Sequence, residues 1–268
     1  MLWSAAIGMF ASLTTHRHLL MTMVRREIGA RFAGSSLGGL WSLIQPAIML
    51  GLYTMVFSLI YRIPEVEGGH GFPEFVFCGL WPWLAFQEAC TRSVSAITSN
   101  ANLVKKLQFP SELLVISSVV SSFVVQGVGF LLFLIGLMMW KGTLLGVAGF
   151  FLIIPIGLHV IFAIGIGMLL ACGNVFFRDV EQLAGAVFTM WFFFPPILYP
   201  ASLVPEAVRT VQLWNPMIPI INAYRSIILT GIFDPGITLV YSFGLAAVLL
   251  WVGNYVFQRC RGFFADYL

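Results

Sequence analysis

The chain has 268 residues, of which 59% are apolar and only 9% are charged, and its formal net charge is +3. Water-soluble domains carry about 25% charged residues, so this composition excludes an ordinary soluble globule and predicts a polytopic membrane protein. The small, dispersed positive charge also argues against a nucleic-acid-binding protein.

Residues 14–33 precede the first predicted span and combine an apolar stripe with a row of arginines. The stripe, at helical spacing, consists of Leu19, Leu20, Met23, Val24 and Ile28. The opposite side carries Arg25, Arg26 and Arg31. This pattern predicts an amphipathic helix on the cytoplasmic membrane surface. A solvated arm is the alternative, which the apolar stripe disfavours.

Six charge-poor stretches are long enough to cross a bilayer, which takes about 20 apolar residues. We place the spans at residues 37–60, 75–97, 113–139, 143–173, 182–204 and 235–257. The predicted fold is therefore an all-α polytopic membrane protein with six transmembrane helices in a single domain, residues 1–268. Most of the 14 Lys and Arg residues fall on the cytoplasmic side if both termini are cytoplasmic.

The second span contains Glu88 and, four residues later, Arg92. Glutamate four residues before arginine is the favourable order for a pair on one face of a helix. We interpret the two as a neutralised pair near the cytoplasmic end of the span. A contact for substrate or for gating in the channel mouth is the alternative, because charges inside membranes usually mark function.

The connection between the second and third spans reads NANLVKKLQFPSE, residues 100–112. Residues 101–107 predict a short helix that exposes apolar side chains beside Lys105 and Lys106. Pro110 ends this helix, and Ser111 is placed to cap the next one. Such a helix suits docking to a cytoplasmic partner. The alternative is a loop whose lysines only follow the positive-inside rule.

Residues 205–231 are apolar but are broken by Pro216 and Pro219. We predict a re-entrant pair of short helices on the outer side that covers a cavity, because irregular backbone at membrane depth needs such cover. Arg225 is expected to tie this segment together by pairing with Asp234 or with backbone carbonyls. A seventh span with an external C terminus is the alternative.

Aromatic side chains cluster in the second and fifth spans. Rigid rings with few fixed hydrogen bonds suit contact with a moving sugar polymer. The predicted channel-lining residues are Trp81, Trp83, Phe86, Glu88, Arg92, Trp191 and Tyr199. Packing or lipid contact is the alternative for each aromatic residue. His159 is isolated within the fourth span and is expected to be a hydrogen-bonded packing residue.

Five motifs, in order along the chain, resemble those of one family of bacterial membrane proteins. They read RREIGARFAGSSLGGLWSLIQPAIML, KKLQFPSELL, NVFFRDVE, WFFFPPILYP and WNPMIPIINAYRSIILTG. The resemblance is to the permease subunits of ABC exporters for O-antigen, capsular polysaccharide and teichoic acid, and it covers nearly the whole chain.

The resemblance implies a homodimer in the bacterial inner membrane that exports a lipid-linked polysaccharide. It also implies a separate ATP-binding cassette subunit, in two copies, that carries Mg-ATP and grips a coupling helix within residues 100–110. The residues that the resemblance assigns to this contact are Asn102, Leu103, Val104, Lys105, Lys106 and Leu107. Arg178 is a further candidate, for which a structural turn with Asp179 is the alternative. The implied gate residues are Asn215, Pro216, Tyr224 and Arg225.

The sequence contains no phosphate-binding G-x-x-x-x-G-K-[ST] loop, so ATP is expected to bind to another chain. We expect no metal or cofactor here, because the four cysteines and four histidines lack metal-ligand spacing. A membrane-embedded transferase or a secondary transporter would need clustered acidic groups, whereas the acids here are few and spread out. The alternative is an ABC exporter of teichoic acid, lipid or drug.

Overall fold

The computed structural model describes residues 14–60, 71–106, 109–141, 146–233 and 236–268. All regular secondary structure within these ranges is helical. The α-helices, in chain order, are α1 (Arg17–Phe32), α2 (Trp41–Thr54), α3 (Phe72–Val94), α4 (Ala101–Lys106), α5 (Glu112–Lys141), α6 (Ile153–Phe176), α7 (Val180–Phe192), α8 (Glu206–Gln212), α9 (Met217–Arg225), α10 (Ile237–Cys260) and α11 (Phe264–Tyr267).

Short non-α helical turns extend several of these helices. Met55–Ile60 continues α2 as a π-helix, and Gly146–Leu152 leads into α6 as a 3₁₀-helix. Ser226–Thr230 extends α9 as a π-helix, which ends at Gly231 with φ of 68°. Glycine readily adopts this left-handed backbone conformation, because it has no Cβ.

Four helical segments of the described chain are long and apolar enough to cross a membrane. They are Gly38–Ser58, Glu112–Met139, Ala148–Phe176 and Ile237–Tyr267, and they match the predicted first, third, fourth and sixth spans. The second predicted span forms α3, which is 23 residues long but is not among the four. The six-span count therefore stays a prediction.

The fifth predicted span, 182–204, departs most from a continuous helix. Its helix α7 has 13 residues and ends at Phe192, because Pro195 and Pro196 follow closely and proline cannot continue a helix. The chain then runs through turns to the short 3₁₀-helix Ala201–Leu203.

Helix α3 lies at the centre of the bundle, where it packs against α2, α5, α6, α7 and α9. Pro73 and Glu74 occupy its first turn, positions that favour helix initiation and complement the helix dipole. Its buried side chains include Phe77, Trp83 and Phe86. Because other helices surround it, α3 can carry charged residues that a lipid-facing helix excludes.

Helices α6 and α10 meet through glycines. A Cβ atom on Gly165 would lie 2.6 Å from the backbone nitrogen of Leu250 and 2.7 Å from the carbonyl carbon of Leu249. A Cβ on Gly253 would in turn meet the backbone of Gly165. Small residues at these positions therefore allow the two helices to pack closely.

Helix α1 packs along α5 and buries Met23 and Val24. The predicted apolar stripe therefore contacts protein over much of its length, whereas Leu19, at its edge, is exposed. Arg25 and Arg26 are exposed, whereas Arg31, which the sequence places on the same side of the helix, is half-buried.

Replacing Gly165 with alanine should lower the thermal unfolding temperature of the protein in detergent. The added Cβ meets backbone atoms that cannot move aside, so we expect a loss of about 1–3 kcal/mol in the free energy of unfolding. Gly157→Ala is the matched control, because it lies on the same helix with nothing within 4 Å of the added Cβ. Equal unfolding temperatures for the two variants would contradict the close α6–α10 contact.

Candidate functional site

The carboxylate of Glu88 joins three helices. It accepts a hydrogen bond from Arg92 Nε at 3.0 Å on its own helix and from Gln126 Nε2 of α5 at 2.6 Å. It also forms an ion pair with Arg31 of α1. We call Arg31, Glu88, Arg92 and Gln126 the central polar cluster.

The predicted pair of Glu88 and Arg92 forms, but it is one half of a larger arrangement. The side chains of Glu88 and Arg31 are only 19% and 15% exposed, so the ion pair between them is well shielded from solvent. Sequence reasoning missed Arg31, which it had assigned to the polar face of α1, and it missed Gln126. The available signal was that an acid inside a membrane bundle requires a cationic or hydrogen-bonding partner.

The central polar cluster lines a cavity of about 560 Å³ between α1, α2, α3 and α5. Polar residues of α2 and α3 complete the wall near the cluster, notably Gln45 and Gln87. Trp41, at the start of the first span, also lines it. Of the predicted channel residues, Glu88 and Arg92 therefore open onto a cavity.

The aromatic residues predicted to line a channel form part of the interior of the chain. The ring of Trp191 lies edge-on to Trp83, with centroids 5.8 Å apart, and to Phe86, at 5.6 Å. Trp83 and Phe86 have no exposed surface, whereas Trp191 is half-buried. These contacts join α3 to α7.

Trp81 is also buried, and its indole nitrogen donates to the carbonyl of Gln126 at 2.9 Å. Within one chain, Trp81, Trp83 and Phe86 therefore act as packing residues. Their channel-lining role stays a prediction, as does that of Tyr199.

His159 is fully buried, but its expected hydrogen bond is absent: neither ring nitrogen has a partner among the residues that the structure describes. Aromatic contacts hold the ring instead. It stacks on Phe86 and lies edge-on to Phe123, both with centroids 5.3 Å apart. The expectation of a packing residue was right, and that of a hydrogen bond was wrong.

The short helix α4 forms within the predicted coupling segment. Asn102, Lys105 and Lys106 are exposed, whereas Leu103 and Val104 are half-buried. Leu107 lies outside the described residues. Arg178 lines a neighbouring pocket of about 380 Å³ together with Thr98 and Ser99, so the structure places it near the start of α4.

One predicted detail of this connection is wrong. The hydroxyl of Ser111 has no hydrogen-bond partner among the described residues, so it does not cap α5. Asn100, just before α4, donates its amide to the carbonyl of Ala96 at 2.9 Å. Its Oδ1 accepts a hydrogen bond from Arg26 Nη2 of α1 at 2.8 Å.

The predicted gate residues fall on or beside α9. Asn215 is buried, and its Oδ1 accepts hydrogen bonds from the backbone nitrogen of Met217 at 3.0 Å and from the indole of Trp191 at 3.3 Å. The carbonyl of Pro216 accepts from the Ser242 hydroxyl of α10 at 3.1 Å. Tyr224 is buried in the core.

Arg225 holds the non-helical chain that follows α7. Its Nη2 donates to the carbonyls of Pro196 at 2.7 Å and Ile197 at 3.2 Å, and its guanidinium lies 3.6 Å from the ring centroid of Phe75. The predicted pairing with backbone carbonyls forms, but these carbonyls lie before the predicted gate segment, residues 205–231. Asp234 lies outside the described residues. Sequence reasoning missed Gln212, whose amide donates to the carbonyl of Phe194 at 2.6 Å.

Comparison with known proteins identifies the family. The family model described as ABC-2 type transporter matches residues 18–229, which is most of the chain. The chain belongs to the ABC-2 type transporter family. It is therefore a membrane transport protein, and the ABC-2 assignment confirms the family resemblance that the five motifs carry.

Curated relatives of this ABC-2 protein match over nearly its whole length. The O-antigen export system permease protein RfbA of Myxococcus xanthus is 32% identical over 267 residues, covering 97% of this chain and 99% of the relative. The protein of the same name from Klebsiella pneumoniae is 28% identical over 260 residues, covering 93% and 95%. The polysialic acid transport protein KpsM of Escherichia coli is 26% identical over 233 residues, covering 85% and 88%.

Replacing Glu88 with leucine should destabilise the protein by about 3 kcal/mol, because removing one partner of a buried ion pair leaves the other charge uncompensated. The double variant Glu88→Leu/Arg31→Leu should recover part of this loss. Thermal unfolding in detergent measures both. Glu27→Leu is the control, since its pair with Arg26 is longer, at 3.6 Å, and the Arg26 side chain is 45% exposed, so the pair should contribute less than about 1 kcal/mol. If the double variant were no more stable than Glu88→Leu, the Arg31–Glu88 pairing would be contradicted.

Proposed function

We propose that this ABC-2 protein is the membrane subunit of an exporter that moves a lipid-linked polysaccharide, of O-antigen or capsule type, across the bacterial inner membrane. Two copies form the channel, and two copies of a separate ATP-binding cassette subunit hydrolyse Mg-ATP. The observation that carries this proposal is the near-complete match to an O-antigen export permease, with 97% of this chain covered. The match to a polysialic acid transport protein supports a glycan substrate.

The contacts of α1 support a route from the ATPase to the membrane-spanning helices. Arg26 joins α1 to the residue immediately before α4, and Arg31 joins α1 to Glu88 of α3. An ATPase that moves the exposed face of α4 would therefore displace α1, and through Arg31 it would act on α3 and α5. In this proposal Asn102, Lys105 and Lys106 contact the ATPase, and Arg178 supports the same surface.

The proposed orientation places both termini and α4 in the cytoplasm, in agreement with the distribution of Lys and Arg along the chain. Helices α8 and α9 then lie at the outer side, where Asn215, Pro216, Tyr224 and Arg225 organise a gate. The channel lies between the two copies, and Trp191 and Tyr199 keep partly exposed surface that can contact the glycan.

The function is tested by reconstitution in vesicles. The purified permease should hydrolyse no ATP, whereas co-expression with its ATPase should yield a complex of two copies of each subunit. Vesicles that contain this complex should move a labelled lipid-linked glycan only when ATP is present. Uphill movement by the permease alone would overturn the proposal, because this chain has no nucleotide-binding loop to supply the energy.

The double variant Lys105→Ala/Lys106→Ala should reduce ATP-driven export at least about tenfold while the complex still assembles, since each lost charged contact at an interface costs about 1.5–3 kcal/mol. Export rate and ATP hydrolysis are measured together on the same vesicles. Lys141→Ala is the matched control, because Lys141 lies at the opposite end of α5 from the α4 connection. Normal export by the double variant would rule out α4 as the coupling contact.

A further inference from the structure

The cavity beside Glu88 offers more positive than negative charge. Two guanidinium groups, Arg31 and Arg92, and one carboxylate, Glu88, are the charged groups among its lining residues. Glu88 neutralises one arginine, so the cavity keeps one net positive charge. An unpaired positive charge among membrane helices is costly, so the cavity favours an anionic ligand.

Arg92 is the cation with an open face. It contacts Glu88 through Nε alone, and its two terminal nitrogens make no hydrogen bond to any residue that the structure describes. Its side chain is 37% exposed, against 15% for Arg31. The terminal nitrogens of a guanidinium form a planar fork that matches two oxygens of one phosphate.

The cavity wall also supplies neutral donors beside Arg92. The Oε1 atom of Gln87 accepts from the indole of Trp83 at 3.0 Å, which leaves its amide nitrogen available. Gln45 contributes a second amide from α2. The site therefore favours a ligand rich in acceptor oxygens.

The rest of the wall combines the hydroxyl side chains of Ser35, Ser42 and Thr91 with apolar side chains. Pro46, Met49 and Leu84 line the cavity beyond the polar residues, and Trp41 lies at its edge with 48% exposure. A ligand that fits this wall has a charged head and an apolar tail. Basic pockets between membrane helices on the cytoplasmic side bind acidic lipid headgroups in this manner.

We propose that the cavity between α1, α2, α3 and α5 binds the phosphate or diphosphate headgroup of a lipid, with the open face of Arg92 as the principal contact. The headgroup belongs either to the isoprenoid carrier of the glycan or to an acidic phospholipid of the membrane. The carrier assignment rests on the proposed export function, and the phosphate site itself does not.

The test is equilibrium binding to the full chain in nanodiscs of phosphatidylcholine. The probe is a fluorescent polyisoprenyl diphosphate that carries no sugar. Arg92→Gln should weaken its binding about tenfold or more, because a charge-assisted contact is lost while Glu88 keeps Arg31 and Gln126. Arg259→Gln is the matched control, since that arginine contacts the ring of Tyr255 on α10, outside the cavity. Its affinity for the probe should equal that of the unmodified chain.

Two unlabelled competitors distinguish the sources of the phosphate. Displacement of the probe by phosphatidylglycerol at a concentration similar to that of the probe supports a general site for acidic headgroups. Resistance to phosphatidylglycerol supports the diphosphate carrier.

Equal competition by a polyprenol without phosphate would overturn the proposal, because the tail would then dominate binding. Unchanged affinity in Arg92→Gln, with an unfolding temperature like that of the unmodified chain, would also overturn it, as would absence of binding to the unmodified chain. If Arg92→Gln unfolds, Arg92→Lys gives the same test, since lysine keeps the positive charge but lacks the planar pair of terminal nitrogens. The affinity of Arg92→Lys for the probe should lie between that of the unmodified chain and that expected for Arg92→Gln.

The experiments distinguish failure of the proposed export function from failure of the proposed phosphate site. Unmodified protein that binds the probe but shows no ATP-dependent export with its ATPase would contradict the export function and leave the phosphate site intact. Export by the unmodified complex, together with binding that does not depend on Arg92, would contradict the site and leave the export function intact.

Discussion

The neutralisation of Glu88 holds three helices of this ABC-2 protein together. A carboxylate in a bundle that is otherwise apolar is costly unless charged and hydrogen-bonding groups surround it. Those groups come from three helices: Arg31 from α1, Arg92 from α3 and Gln126 from α5. The position of α1 against the bundle thus follows from a charge requirement as well as from the burial of Met23 and Val24.

A second requirement, the pairing of backbone carbonyls, organises the opposite part of the chain. The consecutive prolines after α7 break the helix and leave carbonyl groups without helical partners. Side chains replace those partners. Arg225 donates hydrogen bonds to the carbonyls of Pro196 and Ile197, and Gln212 donates one to the carbonyl of Phe194. The same apolar chain therefore tolerates an irregular segment because polar side chains from α8 and α9 are directed at it.

Sequence reasoning predicted the helical class, four of the spans and the pair of Glu88 and Arg92, because these depend on hydropathy and on spacing within one helix. It did not predict that α7 ends at Phe192, although the two prolines were visible. It also missed Arg31 and Gln126 as partners of Glu88, since contacts between distant segments leave no local pattern. The same limit applies to Trp83 and Phe86: composition identifies an aromatic cluster, and only the fold shows which surface each ring faces.

The backbone contact between Gly165 and Gly253 has a mechanical consequence. Two helices that touch without intervening side chains have no layer of rotatable groups through which to slide, so α6 and α10 must travel as one stiff unit. Any opening of the bundle then has to occur at other helix–helix contacts.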